Sequence, residues 1–265
     1  MPLDIDRVHG LNWHETAHLY REIFLERIYL RGGLTIPPDA LVVDVGANIG
    51  MYSLFVHSEV PSASILAFEP LPPLCRALRH NLTAHQVQAR VFPYGLSDSD
   101  REVPFTYYPG YTTMSTQSAY ADTDEDKEFV RRAAIESLPE SDDGREVLEE
   151  LDSILDFRFQ SVTHTCRVRR LSEVIDEEGV DRIDMIKIDV QRAEMDVLRG
   201  IDRRHWPMVR QIVMEVHDAP GTDTAGRLDD VVRTLTDRGF QVTAEQDASL
   251  VGTDRHAVYA IRSTR

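Results

Sequence analysis

Lysine is nearly missing from this chain: Lys127 and Lys187 are its two, and every other basic residue is arginine or histidine. Cysteine is as scarce. Cys75 and Cys166 match no metal-ligand spacing and no disulfide framework, so a reducing cytoplasm is the expected compartment. No apolar run reaches the ~18 residues that a membrane-spanning helix needs. The opening MPLDIDRVHGLNWHE holds no apolar stretch of the secretory kind. Positive charge is in deficit overall, with 29 Lys and Arg against 45 Asp and Glu, a formal −16. Gripping nucleic acid by its phosphates needs clustered Lys and Arg, so that class of partner is not expected. Much of the excess lies between Asp122 and Asp156, with fourteen acidic and four basic residues, which reads as a solvated helical insertion. What is present suits folding: 265 residues, 42% hydrophobic, enough for one large α/β domain with an added cap.

From Leu11 to Arg31 the pattern is helical, with Leu19, Ile23 and Leu30 on one stripe and Tyr20, Phe24 and Ile28 widening it. Asn12 with Glu15 three residues on predicts a capping box, and Gly32-Gly33 stops the helix. Strands and helices then alternate. LVVDV (41–45) is an apolar strand of the buried parallel kind, followed by a helix over 50–60 and the strand ILAFE (65–69). Pro72-Pro73 opens a third helix, and a strand over 90–94 runs into Gly95-Leu96-Ser97-Asp98. After a long interruption come IDMIKIDV (183–190), a helix over 194–199, QIVMEV (211–216), a helix over 228–238, and a closing strand pair at 240–245 and 257–261. This alternation predicts a doubly wound sheet, mostly parallel, with an antiparallel edge. The interruption, about 104–165, begins with the aromatic loop FTYYPGYTTMST and continues as acidic helices, the profile of a lid.

Ligands of such sheets sit beyond the carboxyl ends of the strands, at the switch in strand order. The first strand runs into Asp44-Val45-Gly46-Ala47-Asn48-Ile49-Gly50, and Glu69 ends the second, where a carboxylate can accept ribose hydroxyls. A nicotinamide site would normally show G-x-G-x-x-G, whereas Asn48 stands at the middle position of D-x-G-x-N-x-G. That spacing resembles motif I of the S-adenosylmethionine (SAM)-dependent methyltransferases. DVGANIG, AFEP, GLSD, KIDV leading to Ala193-Glu194, and VMEVH follow one another as in the FkbM family of methyltransferases.

The resemblance covers roughly Leu41 to His217. It implies a class I, Rossmann-like α/β fold, with residues 1–40 as a helical cap, 41–265 as the SAM-binding domain, and a lid at about 104–165. The cap and the aromatic loop resemble a narrower group tied to polyketide and nonribosomal-peptide assembly lines. For that group the expected reaction is O-methylation of a natural-product hydroxyl, on a small molecule or a carrier-bound intermediate. The family usually reads K-I-D-V-E-G-A-E, whereas this chain has Gln191-Arg192, a bulky positive site in place of a small negative one. The resemblance assigns the methionine end of SAM to Asp44 and the turn Gly46, Asn48 and Gly50. It assigns the ribose to Glu69 and the adenine flanks to Leu96 and Ser97, although core packing explains Leu96 equally well.

Asp189 closes the fourth strand of the parallel series on the same edge; Glu215 and His217 close the fifth, two residues apart and so on one side. The three are candidate catalytic residues. His217 suits a general base, while two carboxylates and an imidazole could equally ligate a divalent ion such as Mg²⁺. Glu194 reads as a helix N-terminal charge, and Lys187 as the structural partner of a carboxylate. Tyr20, Tyr29, Tyr107, Tyr108 and Met114 are candidates for closing over the site or for plain core. His14 and His18 read as surface residues. N-methylation, or a SAM-binding module without chemistry, are the competing functions. Carrier docking, opposed by the acidic charge, would need a local basic surface such as Arg167, Arg169 and Arg170.

Overall fold

The computed structural model describes residues 3–137, 142–246, 250 and 253–263. Its centre is a seven-stranded sheet. Leu41–Val45 (β1), Ser64–Phe68 (β2) and Ala89–Phe92 (β3) run parallel, separated by Met51–Glu59 (α2) and Pro72–Ala84 (α3), while Trp13–Tyr20 (α1) precedes them. Met185–Ile188 (β8) pairs on the other side of β1, and Gln211–His217 (β9) follows it, also parallel. Phe240–Glu245 (β10) and Arg255–Arg262 (β11) close the sheet in the order β10-β11-β9-β8-β1-β2-β3. β11 lies antiparallel between β9 and β10, so the antiparallel pair expected from the sequence is present and β10 forms the edge. Chain order reverses between β1 and β8, which puts the switch point at the carboxyl ends of those strands. Val42, Val43 and Ile186 are fully buried there, each worth ~1.5–3 kcal/mol as helices cover both faces.

The stretch expected to be loop and acidic helices contains a second sheet. Gly95–Leu96 (β4), Arg101–Tyr107 (β5), Thr116–Gln117 (β6) and Val162–Arg169 (β7) form four strands in the order β4-β7-β5-β6. In β5 the side chains of Phe105 and Tyr107 are buried and alternate with more exposed neighbours, a period-two pattern that Pro104 obscures in the sequence. Helices Thr123–Ser137 (α4) and Asp142–Arg158 (α5) stand between β6 and β7, and Tyr108, Met114, Leu151, Leu155 and Phe159 make a separate small core with them. The acidic block is not wholly solvated: Asp126 is buried, 2.9 Å from Arg192. Leu171–Glu178 (α6) also went unpredicted. Its Leu171, Val174 and Ile175 form one buried stripe, closed by Gly179 at φ +63. Glu194–Arg199 (α7) and Arg227–Asp237 (α8) complete the fold.

The cap is not one helix through Arg31. After α1 the chain widens into a π-helical turn, Arg21–Leu25, then breaks at Arg27, which has φ +55 and pairs both terminal guanidinium nitrogens with Glu59. Such π turns present side chains that a regular helix would direct elsewhere. Asn12 caps α1 through the His14 N–H, but Glu15 does not complete a capping box. Its carboxylate instead accepts from the backbone N–H and the hydroxyl of Thr113, at 3.1 Å each, tying the cap to the loop before β6.

Candidate active site

The turn after β1 is shaped by its neighbours before any ligand enters. Gly46 has φ +73, and a Cβ there would sit 1.9 Å from the carbonyl oxygen of Asp189. Gly50 has φ +92, and a Cβ there would press on the Leu78 side chain of α3. One glycine therefore lets β8 end close against the turn, and the other lets α2 pack on α3. Lys187 bolts the arrangement from behind. Its ammonium donates to the Gly46 carbonyl at 2.8 Å and stands 3.6 Å from Asp44 and 3.7 Å from Asp189. Asp44 also accepts from the Ser53 hydroxyl at 2.7 Å. Burial raises the Asp44 pKa, and the Lys187 charge opposes that shift.

Glu69 holds the same turn from β2. One carboxylate oxygen accepts from Asn48 N–H and the other from Leu71 N–H, both at 2.9 Å. Burial nevertheless pushes its pKa up to about 7. The turn, Glu69 and Leu96 line a cavity of about 430 Å³, within the ~300–1,000 Å³ usual for small-molecule sites. Of the predicted cofactor residues, Gly46, Asn48, Glu69 and Leu96 are on its wall. Asp44, Gly50 and Ser97 stand behind it: Asp44 on Lys187 and Ser53, Gly50 under α3, and Ser97 with its carbonyl against Gly200.

At the far end of the cavity Asp189 and Glu215 face each other's field, each with 24% of its side chain exposed. For Asp189 burial favours the neutral acid, but Lys187 and the hydroxyl of Tyr29, which donates at 2.9 Å, outweigh it and hold the carboxyl below its ordinary range. Glu215 is shifted the other way, by burial and by the Asp189 charge, against the pull of Arg255 and His217.

His217 is brought to this edge but not to the cavity. Its side chain is fully buried, Nδ1 is 2.7 Å from Glu194 Oε1, and Nε2 points at Glu215 from 3.5 Å. Burial alone would lower its pKa; the Glu194 charge and hydrogen bond reverse that and raise it. Glu194 stands in the first turn of α7, as expected, and does more than charge a helix end. It is a buried carboxylate shared by His217 and Arg227, whose attraction overcomes burial and lowers its pKa. For the group that could equally ligate a divalent ion, no set of three or more His, Cys, Asp or Glu in an ion-holding arrangement is present among the described residues.

Gln191 and Arg192 take φ +48 and +70, a conformation that glycine adopts freely and Arg does not. The Arg192 charge is not presented to the cavity. It is buried against Asp126, with Glu125 at 3.5 Å and Asp254 at 3.7 Å. Gln191 does line the cavity, and its backbone carbonyl accepts from Thr116 at 2.6 Å. The cap contributes residues that sequence reasoning missed, while His14 and His18, read as surface residues, are exposed and also line the cavity. Glu15, His18 and Glu22 all line the cavity, and His18 stands 3.3 Å from Glu22. Burial, with Glu215 and Asp189 nearby, pushes the Glu22 pKa up to about 8. The i,i+4 spacing of His18 and Glu22 is the pattern that could have signalled this. Arg255, also on the wall, carried no signal. Tyr29 and Met114 line the cavity, whereas Tyr20 stacks on Phe24 and Tyr107 and Tyr108 pack in cores. The three arginines expected to dock a carrier each carry a counter-charge, Arg167 on Asp100, Arg169 on Glu177 and Arg170 on Asp202.

Comparison with known proteins identifies the family. Residues 44–242 match the methyltransferase FkbM domain. Over 256 residues the chain is 50% identical to the AMB antimetabolite synthetase AmbE of Pseudomonas aeruginosa, covering 97% of this chain but only 12% of that protein. It is 40% identical to the 31-O-demethyl-FK506 methyltransferase FkbM of Streptomyces tacrolimicus, covering 96% of this chain and 92% of the other. It is 31% identical to the methyltransferase sdnD of Sordaria araneosa, covering 92% and 90%.

Proposed function

Because this chain belongs to the FkbM family of SAM-dependent methyltransferases, we propose that it methylates a hydroxyl of a polyketide- or peptide-type natural-product intermediate, free or carrier-bound. The observation that carries this reading is the single cavity joining the Gly46–Asn48 turn and Glu69 at one end to Asp189 and Glu215 at the other.

Bound SAM supplies an electrophilic methyl group on a sulfonium, so the protein's task is placement and proton management. The turn at Gly46, Ala47 and Asn48 would hold the methionine end. Glu69 would hold the ribose. Each of its oxygens already accepts one backbone N–H and keeps further acceptor capacity toward the cavity, so the residues fit the group. Leu96 would lie against the adenine.

At the acceptor end Tyr29 and Lys187 keep Asp189 ionised and fixed. Glu215 is the better proton acceptor, because burial and Asp189 raise its proton affinity above that of an ordinary carboxylate. The methyl group would leave the sulfonium for the acceptor oxygen, the S–C bond breaking to release S-adenosylhomocysteine, and Glu215 would take the proton that this oxygen loses. His217, expected from the sequence to be the base, here acts from behind: locked by Glu194, it stands 3.5 Å from Glu215 and balances its charge.

Calorimetric titration with S-adenosylhomocysteine tests the donor half, and absence of binding would remove the assignment. Matched alcohol and amine acceptors then separate O- from N-methylation. Turnover of the amine alone would overturn the hydroxyl reading.

A further inference from the structure

Beside the acceptor end lies a buried cation whose hydrogen-bonding capacity is largely unused. Arg255 on β11 is 7% exposed and lines the cavity. A guanidinium carries five N–H donors in a planar fork. Here Nη1 reaches Glu215 at 3.4 Å, a long contact, and Nη2 meets the thioether of Met114 at 3.2 Å. Nε has no hydrogen-bond partner among the described residues. Asp254 stands 3.9 Å from Nε, outside hydrogen-bond reach, and also faces Arg192 at 3.7 Å. Glu215 is likewise divided, since His217 Nε2 approaches it from behind. The flat face of the guanidinium is covered by the ring of Phe129, 4.0 Å from Cζ to centroid, which fixes the plane of the fork.

We propose that Arg255 is the recognition group for a carboxylate on the acceptor, which makes the substrate a hydroxy acid with its hydroxyl toward Asp189 and Glu215. A buried guanidinium is stable when its donors are met, and a thioether is a poor acceptor for a cation. A carboxylate matches the fork with two parallel hydrogen bonds, as no single hydroxyl or amide can. Met114 and Phe129, both from the insertion, surround the fork with apolar surface, so a ligand carboxylate would complete a pairing that Glu215 at 3.4 Å and Asp254 at 3.9 Å give only in part. Arg255 thereby sets which acceptors are oriented for transfer. The inference rests on reading the Asp189–Glu215 end as the acceptor end.

The test is the Nε–H NMR resonance of Arg255, assigned by its loss in Arg255→Lys, or through its contact with the Phe129 ring should that variant not fold. The resonance is titrated with acetate, acetamide and inorganic phosphate, with and without S-adenosylhomocysteine. The expected result is a saturable shift with acetate, at an apparent affinity at least ~10-fold above that for acetamide. No shift with acetate, or equal shifts with acetate and acetamide, overturns the proposal. A shift with phosphate and none with acetate overturns the carboxylate class. Because the titration is also read without S-adenosylhomocysteine, a failed donor site would strike the proposed function and leave this result standing by itself.

Discussion

His217 Nδ1 and Glu194 Oε1 are 2.7 Å apart with both side chains fully buried, and the pair joins the end of β9 to the start of α7. Glu194 also holds Arg227 at 2.9 Å, so a single carboxylate anchors two cations behind the acceptor end. Removing one partner of a buried ion pair typically costs ~3–5 kcal/mol. Glu194→Gln is therefore expected to lower stability by that order in urea unfolding. The pH dependence has two arms. His217, raised in the fold, contributes stability that is complete below its unfolded pKa and is lost as pH rises through the folded one. Glu194, lowered in the fold, contributes stability present above its unfolded pKa and lost as pH falls through the folded one. Melting temperature against pH should form a plateau between these limits, and Glu194→Gln should flatten both sides.

Glu69 titrates at about 7 because of burial, and a carboxylate accepts two hydroxyls best when ionised. Affinity for S-adenosylhomocysteine should therefore fall with a one-proton slope as pH drops below about 7. Glu69→Gln should remove that slope. It should also weaken binding by ~10- to 100-fold, the scale of ~1.5–3 kcal/mol for hydrogen bonds to a charged group. Titration calorimetry across pH checks both, and an unchanged slope in the variant would exclude Glu69 as the titrating group.

Lys187 stands between Asp44 and Asp189 with almost no exposure. Lys187→Met would leave the buried Asp44 and the part-buried Asp189 without their shared counter-ion, and the Gly46 carbonyl without the Lys187 donor. A loss of ~3–5 kcal/mol is expected by denaturant unfolding. That loss should shrink at low pH, where both acids can protonate.

Gly46 and Gly50 separate two kinds of glycine requirement. Ala at 46 meets a backbone oxygen at 1.9 Å, which cannot yield without moving β8; Ala at 50 meets the flexible end of Leu78 at 2.8 Å. Each also places a side chain at positive φ, at ~1–3 kcal/mol. Gly46→Ala should lose both S-adenosylhomocysteine binding and stability, whereas Gly50→Ala should lose stability mainly. Equal loss of ligand affinity in the two variants would contradict this division.

Much of the frame is legible in the residues. The apolar strands LVVDV, ILAF, MIKI and QIVMEV specify a parallel sheet because burial on both faces demands continuous apolar runs. The turn at Gly46 and the carboxylate of Glu69 could be placed on the ligand edge from strand order alone. The second sheet was harder to read, since Pro104 breaks the appearance of β5 and its partner β7 lies some sixty residues away.

Sequence by itself determined which side chains of the parallel strands reach the carboxyl edge of the sheet, because period-two alternation and parallel pairing follow from local pattern. It also determined the family, through motifs that local spacing preserves. Tertiary structure alone decided which of those side chains the cavity exposes. His217 withdrew to Glu194, the Arg192 charge was absorbed by Asp126 of a distant helix, and Glu22 and Arg255 arrived from opposite ends of the chain. Long-range ion pairing and burial select among groups that the backbone merely brings near, and those energies depend on neighbours remote in sequence.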